Sequence, residues 1–243
     1  MDVANPVLVV LGAYVLYVAL VGVQWRLAGV RYERIADSSR SIVRGIVVPI
    51  GIGLAVLAAI TTALGWWDDV LTQERRGPGW VLVVPVLLGV TALAGVARID
   101  WRHERARLRP RLVLGVRCVG GAEELLSRGL LVVGPQRAGW SLLAVWLFSS
   151  VLFSLLHAIN GFFGLPWSGV GLQLVLTFLG GSAFFVTLMA TGSLVVAVLL
   201  HALWDLGTLG MGATERSPAP WQLGLAGLTY LVGLVAAVAV VLA

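Results

Sequence analysis

Runs of about twenty apolar residues recur along this chain, and nothing else in the sequence constrains its fold as tightly. A helix needs about 20 such residues to cross a hydrocarbon layer about 30 Å thick. Runs of that length lie near 7–24, 42–64, 80–97, 112–133, 141–160, 170–190, 193–211 and 221–242. In lipid the backbone must satisfy its own hydrogen bonds, so each run reads as a helix. The expectation is an all-α polytopic membrane protein with about eight transmembrane helices and no soluble domain left over. The first run follows only MDVANP, with no basic segment before it and no small-residue cleavage site, so it reads as a retained span and not a cleaved signal peptide. Eight of the ten tryptophans (Trp25, Trp66, Trp67, Trp80, Trp101, Trp140, Trp167 and Trp221) fall at or near the predicted ends, where amphipathic rings favour the headgroup region.

Composition narrows the function classes in the same direction. The 243 residues are 59% hydrophobic and 12% charged, against roughly 25% charged in a soluble domain. That argues against a soluble enzyme and a secreted disulfide scaffold. The net charge of +5 does not point to nucleic acid, because the basic residues sit in short segments between apolar runs, where orientation and anionic lipid account for them. All 17 basic residues are arginine, which reads as coding bias. The single cysteine, Cys118, leaves no internal disulfide and reads as a small packing residue.

The arginines also predict orientation. The segment between the first two runs carries Arg26, Arg31, Arg34, Arg40 and Arg44, and the segment after the third carries Arg98, Arg102, Arg105, Arg107, Arg109 and Arg111. The loop between them sets only Arg75 and Arg76 against Asp68, Asp69 and Glu74. Positively charged loops stay on the cytoplasmic side, which predicts a multi-pass protein of the cell's inner (plasma) membrane with both termini extracytoplasmic. The stretch RIDWRHERARLRPRL reads either as a short basic helix on the inner leaflet, ended near Pro110, or as a solvated loop.

Residues 1–111 hold 21 of the 29 charges, nearly all in loops, and residues 112–243 hold eight. Five of those eight, Arg117, Glu123, Glu124, Arg128 and Asp205, lie inside apolar runs, with His157 and His201 in the same region. An ionised side chain at mid-bilayer costs roughly 2.5–3.5 kcal/mol on insertion scales, so such groups mark polar cavities or pair with one another. Arg117 lies near a helix end, where its stem can snorkel to the headgroups. Spacing assigns the others to faces. Glu124 and Arg128 are four apart and can form an ion pair, while Glu123 points about 100° away. His201 and Asp205 are also four apart, so the carboxylate can orient the imidazole. Phe153, His157 and Asn160 share a face. One cavity opening toward the cytoplasm can collect them all.

These residues also carry a family resemblance. EELLSR fits EExxxR, FSLLH fits FxxxH and HALWD fits Hxxx(N/D), in order and on successive predicted helices. The chain thereby resembles the CPBP family (CAAX protease and bacteriocin-processing, or Abi), which includes the Rce1-type prenyl-protein endopeptidases. The resemblance covers about 115–210. It divides one membrane domain, 1–243, into three N-terminal spans (1–111), a protease-like core in spans four to seven (112–211) and a final span (221–242).

The resemblance implies an intramembrane glutamic endopeptidase acting on a membrane-bound or lipid-anchored peptide or protein. Glu123 would be the general base and His157 its partner in holding a water, with His201 and Asp205 steadying the oxyanion. Glu124 and Arg128 would stand behind them, fixing the helix and balancing charge. Eukaryotic members have Asn where this chain has Asp205. An ionised Asp cannot donate to an oxyanion, so Asp205 is expected either to be protonated or to act by orienting His201. No cofactor is expected. A zinc reading would take Glu123, His157 and His201 as ligands, but HExxH is absent and the ligands would come from three helices. Two other functions remain open: a non-catalytic membrane immunity or scaffold factor, and a proton-coupled transporter, the latter weakened by the lack of a visible repeat between the halves. The glycines and serines at Gly180, Gly181, Ser182, Gly192 and Ser193 read as close-packing positions.

Overall fold

The computed structural model describes residues 5–103 and 109–243. Among these, the chain forms eight helical segments of membrane-spanning length: α1 Pro6–Ala28, α2 Ser39–Leu64, α3 Gly79–Arg98, α4 109–137, α5 Leu142–Phe162, α6 Trp167–Thr191, α7 Leu194–Ala213 and α8 Pro220–Leu242. No strand occurs among the described residues, beyond one isolated pairing of Thr72 with Ser193. Seven of the eight are long and apolar enough to cross a membrane. The exception is α4, whose apolar run is interrupted by Glu123, Glu124 and Arg128.

Local chemistry sets the helix ends. Asn5 caps α1 by accepting from the Leu8 N–H at 3.2 Å, Pro6 occupies the first turn, and Gly29 ends the helix with φ at 62°. Outward-facing Leu8, Leu27, Val86, Leu172 and Leu231 are exposed, as a lipid-facing surface requires. The bundle is polytopic and membrane-embedded.

Small residues bring the chemically important helices close. A Cβ built on Gly120 of α4 would lie 2.8 Å from the Val198 carbonyl oxygen of α7, and one on Gly207 of α7 would lie 3.1 Å from Cα of Gly95 in α3. With lipid on the outside, helices associate through such close backbone approach. Here it presses α7 between α3 and α4 and carries His201 onto the Glu123–Glu124 turn. Two wide π-type turns interrupt the α geometry, Val43–Val47 in α2 and Leu125–Leu130 in α4. The second begins immediately after Glu124, the placement in which π-bulges re-aim functional side chains.

The loop between α2 and α3 folds back over the α6–α7 turn. Gln73 N–H donates to the Gly192 carbonyl at 3.0 Å, Arg76 N–H to that of Met189 at 2.9 Å, and Arg75 Nε to that of Thr191 at 3.2 Å. Arg137 at the end of α4 pairs with Asp69 in the same loop.

Several sequence expectations change. Trp25 and Trp66 are buried, not interfacial: the Trp25 indole donates to the Gly45 carbonyl at 2.7 Å, and Trp66 lies under the Arg137 guanidinium. Trp80, Trp101, Trp140, Trp167 and Trp221 are exposed near helix ends as expected. Pro110 lies in the first turn of α4, and residues 104–108 of the proposed basic helix lie outside the described residues. Arg117 is exposed on α4, two turns from its start, in keeping with snorkelling.

Candidate active site

Four helices and a helix break build the site. Glu123 and Glu124 are adjacent on α4, so their carboxylates diverge, and each meets a different nitrogen of the same imidazole. Glu124 Oε1 accepts from His201 Nδ1 at 2.7 Å, while Glu123 Oε2 lies 3.8 Å from His201 Nε2. His157 Nε2 lies 4.0 Å from the same Glu123 Oε2. Asp205, one turn beyond His201, places Oδ2 at 3.6 Å from His201 Nε2. Glu123 Oε2, His157 Nε2, His201 Nε2 and Asp205 Oδ2 therefore face one locus at separations too long for direct hydrogen bonds. One small polar group between them could touch Glu123 and His157 together.

His157 sits where α5 breaks, one residue past the helical stretch Leu142–Leu156. The break turns its ring back so that Nδ1 lies 3.0 Å from the Phe153 carbonyl oxygen. A carbonyl only accepts, so Nδ1 carries the hydrogen and, in the neutral ring, Nε2 presents its lone pair toward Glu123. The FxxxH spacing thus fixes a tautomer. Asn160, on the expected shared face, donates to Gln173 Oε1 at 2.9 Å, and Gln173 donates to the Tyr32 hydroxyl at 3.1 Å.

Behind the reactive locus lies a buried support. Glu124 and Arg128 are 0% and 1% exposed, with Arg128 Nη1 at 3.4 Å from Glu124 Oε1. Arg128 Nη2 donates to the Gly181 carbonyl at 2.8 Å, and its guanidinium lies over the Phe153 ring at 4.2 Å. Phe184 stacks on His201 with centroids 4.8 Å apart. Imidazole, guanidinium and carboxylate are thereby each held by at least two neighbours.

Asp205 is expected from sequence to be protonated or to orient His201, and Glu124 also contacts that ring, through the other nitrogen. The i,i+4 spacing on α7 brings Asp205 to Nε2, at 3.6 Å, whereas the hydrogen bond to Nδ1 comes from α4. Two further contributors escaped the sequence. Phe184 carries no polar signal, and Gly181, read as a packing glycine, also offers its carbonyl to Arg128. A Cβ there would stand 3.1 Å from Phe153 Cδ1, so both readings of Gly181 hold.

The locus opens into a cavity of about 390 Å³. Glu123, His157, His201 and Asp205 all line it, and so do Tyr17 and Trp25 of α1. The cavity extends from mid-bundle toward the ends of α1 and α2 joined by the arginine-rich segment 26–44, with Tyr32 and Gly45 on its wall. Among the described residues, no three His, Cys, Asp or Glu side chains converge in a metal-holding group.

A family model described as type II CAAX prenyl endopeptidase Rce1-like matches residues 106–207, a stretch that takes in every motif side chain from Glu123 to Asp205. No curated protein matches the chain.

Proposed function

The chain carries a type II CAAX prenyl endopeptidase Rce1-like domain over residues 106–207, and from that premise we propose that it is an intramembrane endopeptidase in which Glu123 activates a water against a peptide bond. The observation that carries the reading is the convergence of Glu123 Oε2, with no hydrogen-bond partner among the described residues, on two imidazole nitrogens at 3.8 and 4.0 Å. A buried carboxylate oxygen without a partner is costly. A water held there would donate one hydrogen to Glu123 and the other to the lone pair on His157 Nε2.

In the proposed reaction the water oxygen bonds to the scissile carbonyl carbon as Glu123 takes one of its protons. The carbonyl π pair moves onto oxygen, giving a tetrahedral oxyanion beside His201 Nε2. Collapse restores the carbonyl and breaks the C–N bond, and the proton on Glu123 passes to the leaving nitrogen. The products are a carboxyl terminus and an amine. Glu124 holds His201 by Nδ1 and keeps Nε2 directed at the reacting atoms, and Arg128 offsets the buried charge of Glu124. Preorganised groups of this kind act without reorganising during the reaction.

The substrate is proposed to be a peptide or protein held at the membrane by an apolar segment or lipid anchor, and the arginine-rich side onto which the cavity extends is proposed to be cytoplasmic. Catalysis is proposed to be metal-free. The test uses protein in proteoliposomes with internally quenched peptides, free, acylated and C-terminally farnesylated. Glu123→Gln keeps the shape but removes the base and is expected to lower cleavage at least about 100-fold with membrane levels unchanged. Activity is expected to survive stringent chelation. Full activity of the Gln variant would overturn the role of Glu123, and zinc-restorable loss would overturn the metal-free step.

A further inference from the structure

The reactive locus is rich in acceptors and poor in donors. Glu123, Glu124 and Asp205 accept when ionised. His157 commits its Nδ1 hydrogen to the Phe153 carbonyl, and His201 commits its own to Glu124. The threonine hydroxyls on the cavity wall are spent on backbone, Thr177 on Gln173 at 2.7 Å and Thr208 on Asp205 at 3.3 Å. Of the two motif imidazoles, His201 has its Nε2 faced by two carboxylates, and that nitrogen donates when the ring is the imidazolium. A tetrahedral oxyanion is best held by two donors, and Asp205 supplies none while ionised.

Tyr17 of α1 lies outside the family-matched stretch and answers this shortage. Its side chain lines the same cavity, is 2% exposed, and its hydroxyl has no hydrogen-bond partner among the described residues. The ring is fixed against α2 by a missing side chain: a Cβ on Gly53 would stand 2.5 Å from Tyr17 Cε2 and 2.8 Å from Cδ2. A buried phenol pressed onto a glycine and left unpaired costs stability. A substrate oxygen that develops negative charge would recover that cost.

Resting on the peptidase reading above, we propose that the Tyr17 hydroxyl is a catalytic donor that hydrogen-bonds the oxyanion of the tetrahedral intermediate, opposite His201. The N-terminal helix thereby completes an active site whose other groups come from α4, α5 and α7.

Tyr17→Phe removes only the hydroxyl, which has no hydrogen-bond partner to lose among the described residues, so the variant is expected to fold with an unchanged or raised Tm. In the proteoliposome assay its kcat is expected to fall about tenfold to a hundredfold, with KM within about threefold and the pH dependence of kcat/KM unmoved. Tyr230→Phe, on the α8 wall of the same cavity, is expected to retain kcat within about threefold. Wild-type kcat in Tyr17→Phe, or a loss in Tyr230→Phe in its place, would overturn the assignment while leaving the peptidase reading intact. A shifted acidic limb would also overturn it, showing Tyr17 to act through Glu123. Absence of Glu123-dependent cleavage in the wild type would overturn both.

Discussion

The molecule holds two kinds of ion pair, and they do different work. At the extracytoplasmic loop in our proposed orientation Asp69 meets Arg137, and near the opposite ends Asp100 meets Arg216 at 2.8 Å; each of these four side chains is more than a quarter exposed. In mid-bundle Glu124, Arg128 and His201 form a network almost wholly removed from solvent. Water screens the first kind, so its removal changes little. The second exists only because every member offsets another, and breaking it leaves a charge where neither water nor lipid can stabilise it. The buried network therefore costs more to assemble and positions the chemistry, while the exposed pairs fasten loops.

The largest effect expected on stability tests the buried member. Arg128→Ala would leave Glu124 facing His201 without the guanidinium and remove its bond to the Gly181 carbonyl. A loss of roughly 3–5 kcal/mol is expected, read as a large fall in Tm of detergent-solubilised protein. Adding Glu124→Gln to that variant should recover part of it, since the uncompensated charge is gone. Failure of the second change to restore any stability would show that packing over Phe153, at 4.2 Å, matters more than charge.

That network also marks how far the sequence could be read. Eight apolar runs predicted eight helices to within a few residues, because hydropathy over twenty residues averages out local detail. Spacing alone placed Glu124 beside Arg128, since i and i+4 meet on any helix. Contacts between helices were another matter. The hydrogen bond that holds His201 comes from Glu124, 77 positions earlier, and no helical periodicity reports it. Likewise Phe184 and Tyr17 are apolar or amphipathic residues in apolar runs, indistinguishable in sequence from lipid-facing neighbours. Trp25 and Trp66 failed for the opposite reason: they stand near helix ends as interfacial tryptophans do, but tertiary packing buries them. The charged residues were legible because the membrane makes each one expensive; what supports them was not, because it is built from inexpensive residues.

A smaller effect is expected at the exposed loop. A double-mutant cycle on Asp69→Asn and Arg137→Gln should give a coupling below about 1 kcal/mol, shrinking further in high salt. Arg137 also lies over the Trp66 ring at 5.0 Å, so the arginine variant alone should cost more than the aspartate variant. A coupling approaching that of the buried network would erase the contrast between the two kinds of pair.

The smallest effect concerns Asp100, between α3 and α4. The Arg216 guanidinium, at 2.8 Å, holds its carboxyl below the ordinary carboxylate range, aided by the backbone N–H of Arg102. A group whose folded pKa is depressed contributes stability above its unfolded pKa, and that contribution is lost as pH falls through the folded value. Wild-type protein is therefore expected to lose slightly more Tm than Asp100→Asn between neutral pH and pH 3, with the two curves converging at the acid end. Asp100 is partly exposed, so the separation at neutral pH should be small and should close in high salt. A large, salt-insensitive separation would mean that the Asp100–Arg216 contact behaves like the buried network, and that the division between loop-fastening and chemistry-positioning charges has been drawn in the wrong place.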